Sequence, residues 1–224
     1  MTTRVSLDGE SLTIDDVRRV AVDRAPVELS RRARGRMEAT QRVVAEIVER
    51  GDVVYGVSTG FGKLSEIAIP RDRLAELQVN LVRSHAAGVG PFLPEREVRA
   101  MMLLRANVLA KGYSGARPEL VDLLLGMLNA GLHPPIHEQG SVGASGDLAP
   151  LAALGLALIG EGKLSKGDGP LEDARTLLAS NALSPVTLGP KEGITLINGT
   201  QAHTAIAALA VHDALTLWRT AHVA

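Results

Sequence analysis

The stretch Gly140-Ser141-Val142-Gly143-Ala144-Ser145-Gly146-Asp147-Leu148-Ala149-Pro150-Leu151 constrains this chain more than any other. Glycines at 140, 143 and 146 let the backbone turn tightly, with positive φ where a turn demands it. Asp147 follows at the place of a helix N-cap, and an apolar run begins after it. The plain expectation is a tight loop feeding a buried helix. A glycine-rich loop at a helix N-terminus is also a candidate phosphate site, but two familiar versions fail on spacing. A nucleophile elbow needs glycines two residues to either side of a serine. Gly143 fits before Ser145, but Asp147 stands two after it. A dinucleotide fingerprint needs Gly-x-Gly-x-x-Gly, and these glycines repeat as Gly-x-x-Gly-x-x-Gly.

Ala144-Ser145-Gly146 has chemistry of its own. If the turn presses the amide nitrogen of Gly146 onto the carbonyl carbon of Ala144, a five-membered ring closes. A side chain at 146 would obstruct that approach, and glycine has none. Loss of water at the ring and at Ser145 leaves a methylidene conjugated to an imidazolone, an electrophile that no unmodified side chain offers. Its carbonyl oxygens would lie near a helix N-terminus, where the dipole favours developing negative charge. Asp147 is a candidate helper, because a carboxylate beside the loop could take protons during dehydration.

The stretch resembles the signature of the aromatic amino acid ammonia-lyases, whose electrophile is MIO (4-methylidene-imidazole-5-one). Tyr55-Gly56-Val57-Ser58-Thr59-Gly60-Phe61-Gly62 resembles the family's tyrosine loop. Leu104-Arg105-Ala106-Asn107 with Gly112-Tyr113-Ser114-Gly115 resembles a second block, and Asn198-Gly199-Thr200 a third. The likeness runs from about Ser11 to the end of the chain. Ser84-His85-Ala86-Ala87-Gly88 looks most like the histidine ammonia-lyase branch, whereas phenylalanine and tyrosine lyases resemble one another in placing a Leu where His85 stands.

The resemblance implies a mainly α fold: the N-terminal and first central-helix part of the ammonia-lyase (L-aspartase-like) helical fold, with a few short strands. It divides the chain into residues 1–112, an N-terminal helical domain with the tyrosine loop, and 113–224, the MIO-loop region and the start of the central helical domain. It implies non-oxidative elimination of ammonia from L-histidine to give trans-urocanate. MIO formed from Ala144, Ser145 and Gly146 is the implied cofactor, with Asp147 serving its formation and no metal or nucleotide. By the same likeness, Tyr55 would lie beside the substrate's β-carbon and move a proton, Asn198 would hydrogen-bond near MIO and the substrate amine, and His85 and Gly62 would bind substrate. The family is cytoplasmic and homotetrameric, with active sites between subunits, and its members are longer than this chain. The chain is therefore expected to be a fragment or a truncated paralogue, inactive in isolation. Two alternatives stay open: a non-catalytic helical module that binds a partner, and a lyase or aminomutase for another aromatic amino acid.

Bulk properties exclude other classes. A net charge of −1 and 2% aromatic residues give neither a polyanion-binding surface nor a base-stacking one, so no nucleic-acid partner is expected. The chain has no cysteine, which removes disulfides and thiolate metal sites. His133 and His137 have the spacing of helical metal ligands, but Pro134 and Pro135 between them impose an extended path. Lys63 does not complete a Walker A loop, since Val57 and Leu64 occupy required Gly and Ser/Thr positions. Residues 1–10 lack the pattern of a signal peptide, and the longest apolar run, 148–159, is too short to cross a bilayer.

Periodicity predicts helices over residues 11–24, 30–50, 70–85, 95–111, 118–130, 148–159, 171–180 and from 201 onward. Thr13 and Asp16 form a weak capping-box pattern. Residues 52–55 read as a short extended piece, 88–94 as a turn, and 163–169 as a polar surface excursion. Arg31, Arg32, Arg34 and Arg36 read as a solvated basic face. Asn198 and Thr200 are both good N-cap types for the last helix.

Overall fold

The computed structural model describes residues 3–142 and 146–224. Local signals set most helix ends. Helix α1 (Ile14–Ala21) starts at Thr13, whose hydroxyl accepts from the Asp16 N–H while the Asp16 carboxylate accepts from the Thr13 N–H. That reciprocal pair is the capping box expected from sequence. Helix α2 (Arg31–Arg50) starts at Ser30, whose hydroxyl accepts from the Ala33 N–H at 3.2 Å, and stops at Gly51 with φ 76°. The left-handed stop suits glycine because no Cβ opposes it. Helix α3 (Leu74–His85) is entered through a 3-10 turn, Arg71–Arg73, that follows Pro70. Helix α4 (Glu95–Ala110) follows Pro94, and α5 (Pro118–Ala130) has proline in its first turn. The remaining helices are α6 (Leu148–Leu158), α7 (Ala174–Ser180), α8 (Glu192–Ile197) and α9 (Gln201–Val223). The fold is mainly helical, as expected.

Strands depend on distant partners, and here the expectations need correction. β1 (Val5–Leu7) and β2 (Val27–Leu29) pair in parallel. Residues 88–94 hold a strand, β3 (Val89–Phe92), rather than only a turn. It pairs antiparallel with β5 (His137–Gln139). Residues 163–169 are no mere excursion. They contain β6 (Lys163–Lys166), the middle strand between β4 (Leu132–His133) and β7 (Glu172–Asp173), and Leu164 and Ser165 are buried. Because Glu172 and Asp173 pair with β6, the helix expected from 171 begins only at Ala174. Residues 52–55 form no strand among the described residues. The Val54 N–H is taken by the Ser58 hydroxyl at 2.9 Å, and the N–H groups of Val57 and Ser58 turn back onto the Val54 carbonyl. The basic face is also only half solvated. Arg34 pairs with Asp122 at 2.6 Å, and Arg36 donates to the carbonyls of Asp8, Ala110 and Lys111.

Helix α4 is the hub on which α1, α2, α5 and α9 pack. Two of its arginines are buried. Arg99 donates to the carbonyls of Val20 and Ala21 at the end of α1 and of Leu128 near the end of α5. Helix C-termini leave such carbonyls unpaired, so one guanidinium closes two helix ends. A second group, α3, α6 and α8, packs through small residues. A Cβ on Gly155 would lie 3.0 Å from the Val82 side chain, and one on Gly193 only 2.8 Å from the Gln78 carbonyl oxygen. The Gly193 N–H also donates to the Gln78 side chain at 2.9 Å. Helix α9 buries Ala202, Ala205 and Leu209 and exposes Leu215, Leu217 and Trp218. The stretch Glu192–Val223 is long and apolar enough to cross a bilayer by length and composition alone. It exceeds the 148–159 run singled out in sequence, but its α8 portion and the first turns of α9 belong to the core.

Candidate active site

The turn between α8 and α9 gathers the chemistry. Asn198 closes α8, its N–H bonded to the Ile194 carbonyl at 2.9 Å. The N-cap place of α9 belongs to Thr200, without a side-chain cap bond among the described residues. The Gly199 carbonyl accepts the Asp147 N–H at 2.6 Å. This brings Gly146 against the same turn: a Cβ there would lie 2.8 Å from Asn198 Oδ1 and 3.0 Å from the Gly199 nitrogen. Only a residue without a side chain fits. Gly146, Asp147 and Asn198 are thus brought together. Ala144 and Ser145 lie outside the described residues.

Asp147 is fully buried. It stands at the N-cap position of α6 but makes no side-chain cap to that helix among the described residues. Its carboxylate reaches across to α9 instead. Oδ2 accepts the His203 N–H at 3.0 Å, Oδ1 accepts the Ser141 hydroxyl at 2.7 Å, and the His203 Nδ1 also contacts Oδ1. The first turn of a helix offers unpaired N–H groups and the positive end of its dipole. A buried carboxylate needs such donors. Asp147 thus holds the expected N-cap place of α6 without capping it by its side chain, whose carboxylate bonds instead to the first turn of α9.

Arg105 supports the turn from behind. It donates to the Asn198 carbonyl at 3.1 Å, to Gln201 Oε1 at 2.6 Å, and to the Thr195 carbonyl. Burial pushes its pKa down to about 10. A second buried clamp fixes the start of α8. The Glu192 carboxylate accepts from the Arg117 backbone N–H at 3.0 Å and from its guanidinium at 2.7 and 2.9 Å. The Glu192 hydrogen bonds raise the Arg117 pKa. Arg105 belongs to the Leu104-Arg105-Ala106-Asn107 block, and its signal in the sequence is a lone cation in an apolar run from Met101 to Ala106. His203 carried no such signal.

The other expected site residues have their described contacts elsewhere. Tyr55 is 61% exposed, and its ring meets Phe61 edge-on at 6.2 Å. It lines a cavity of about 270 Å³ with Val43, Ile47, Val57, Tyr113 and Lys191. Gly62, with φ 57°, opens the 3-10 turn Gly62–Leu64. His85 is the last residue of α3, and its Nδ1 lies 2.8 Å from the Leu81 carbonyl oxygen. A carbonyl only accepts, so Nδ1 carries the proton and a neutral ring keeps Nε2 as an acceptor. Asn107 Oδ1 is buried without a hydrogen-bond partner among the described residues. His133 and His137 lie in different sheets. Among the described residues no cluster of three His, Cys, Asp or Glu could hold a metal.

A family profile described as aromatic amino acid lyase matches residues 12–224. Histidine ammonia-lyase of Alkaliphilus oremlandii is 48% identical over 99% of this chain and 43% of its own length. The chain thus spans about 43% of that relative. The crystal structure of histidine ammonia-lyase from Trypanosoma cruzi superposes with a TM-score of 0.86 at 44% identity, covering 93% of this chain and 40% of that one. Tyrosine aminomutase from Streptomyces globisporus superposes with a TM-score of 0.88 at 41% identity, covering 95% of this chain and 40% of that one.

Proposed function

This chain belongs to the aromatic amino acid lyase family, and we propose that it carries the electrophile-forming region of a histidine ammonia-lyase that converts L-histidine to ammonia and trans-urocanate. The observation that carries this reading is the packing of Gly146 against Asn198 and Gly199, where a Cβ would meet Asn198 Oδ1 at 2.8 Å. A cradle sized for a bare Cα suits a backbone drawn into a ring. MIO formed from Ala144, Ser145 and Gly146 supplies the electrophile. Asp147 and the first turn of α9 hold its loop through the bonds to Gly199 and His203. The Asn198 amide hydrogen-bonds near the substrate amine. Tyr55 moves the proton at the substrate's β-carbon, and its loop glycines give a lid room to close. Gly62 keeps that loop free of a side chain where substrate enters. His85 orients the substrate ring: with its own Nδ1 committed to Leu81, its Nε2 accepts the imidazole N–H.

Within this proposal the enzyme is cytoplasmic and tetrameric, and uses no metal or nucleotide. The relatives named histidine ammonia-lyase support histidine as substrate. An aminomutase is the second reading, favoured by a structural likeness as high for the tyrosine aminomutase as for the lyase. The test is co-expression of this chain with the complementary C-terminal part of the Alkaliphilus relative, followed by assay on histidine and tyrosine. Urocanate from histidine supports the lyase. A β-amino acid from tyrosine supports the aminomutase, and neither product overturns both.

A further inference from the structure

We infer that His203 is a positioning residue for Asp147 and, through it, for closure of the Ala144-Ser145-Gly146 ring; this rests on the reading that the ring forms. The Asp147 carboxylate is fully buried, whereas the His203 side chain is 58% exposed. Both carboxylate oxygens meet this one residue, Oδ2 through the His203 backbone N–H and Oδ1 through its imidazole. A carboxylate accepts only, so for the imidazole contact to hold Asp147 the proton must sit on His203 Nδ1. The two contacts fix the plane of the carboxylate, and the Ser141 hydroxyl adds a third donor on Oδ1. The neighbouring cation does not share this task, because Arg105 gives its described hydrogen bonds to Asn198, Gln201 and Thr195. A buried carboxylate with no ionisable donor would be costly to keep.

Ring closure needs such a held base. The Gly146 nitrogen bonds to the Ala144 carbonyl carbon and loses its proton. The former carbonyl oxygen leaves as water with that proton and the Ser145 N–H proton, as a double bond forms between the Ala144 carbon and the Ser145 nitrogen. The Ser145 hydroxyl then leaves with the Ser145 Cα proton as a second water, and the methylidene forms. Asp147 takes and returns protons without being consumed. The contacts from His203 keep it in one orientation beside Gly146.

Two measurements on the purified chain test this. Nitrogen-15 spectra at about pH 9, where imidazoles are neutral, report the His203 tautomer. A protonated Nδ1 is expected; the Nε2–H tautomer with a bare Nδ1 overturns the inference. The rate of the two-water mass loss after synthesis is then compared in His203→Leu and His203→Asn. Leu should slow it by about tenfold to a hundredfold, the range for a lost bond to a charged group. Asn, whose amide can still donate, should stay within about threefold, a small part of that range. Equal rates in wild type and the Leu variant overturn the inference. Should the Leu variant fail to fold, the tautomer decides. A wild-type chain of unmodified mass overturns the ring reading and the role with it, and the tautomer then reports whether the contact exists without the ring.

Discussion

Replacing Gly199 by Ala should be damaging, because two buried, mutually bonded side chains fill the space its Cβ would take. A Cβ there would lie 2.2 Å from Arg105 Nη1 and 2.2 Å from Gln201 Oε1, with the Gln201 Cδ at 3.1 Å. Those two side chains are buried and bonded to each other at 2.6 Å, so neither can yield without losing its partner. The loss of a hydrogen bond to a charged group costs about 1.5–3 kcal/mol. Forcing a methyl into a filled core adds about 1–3 kcal/mol. Together they give about 2.5–6 kcal/mol, or roughly 5–24 °C in melting temperature for a chain of this size. Gly35 is the internal control. It lies inside α2 and a Cβ there would meet nothing within 4 Å, so Gly35→Ala should stabilise by about 0.5–1 kcal/mol. Urea unfolding of both variants is the assay. A Gly199→Ala variant within about 1 kcal/mol of wild type, well below the steric cost expected of an overfilled core, would refute the claim that Arg105 and Gln201 fill the space behind the turn.

Two further outcomes follow from the geometry. Burial holds the His133 pKa below its ordinary value, so the unfolded chain binds a proton that the folded chain refuses. That contribution to stability is complete above about pH 6.5 and is lost as pH falls towards the folded pKa; His133→Asn should flatten this part of a stability–pH curve, and an unchanged curve would count against it. In the assembled enzyme, His85→Leu should lower kcat/KM for histidine by about a hundredfold or more, since a site built to accept an N–H loses its acceptor. An unchanged value would move the weight to a lyase or aminomutase of another substrate.

What the sequence made legible was local. The Thr13–Asp16 box, the start of α2 after Ser30 and the helix ends at Arg50 and Ala130 are all set within one turn of the backbone. The strands were not legible, because β3 forms only by pairing with β5, about 50 residues away, and β6 sits between β7 and the distant β4. At the site, Gly146 and Asp147 were identified as a turn and a cap. The Asp147 carboxylate bonds not to the helix it opens but to the first turn of α9, 56 residues on. His203 and Arg105 act on backbone groups of a turn whose position only the packed fold defines. Tyr55, Gly62 and His85 were identified by resemblance, and their described contacts lie away from the Asn198 turn.

The most direct test is the intact mass of the purified chain, with Ser145→Ala alongside. The expected wild-type mass is lower than that of the sequence by two waters, and Ser145→Ala should lack the loss of its hydroxyl as water. A wild-type mass equal to that of the unmodified sequence would contradict the proposal that Ala144-Ser145-Gly146 closes into the electrophile.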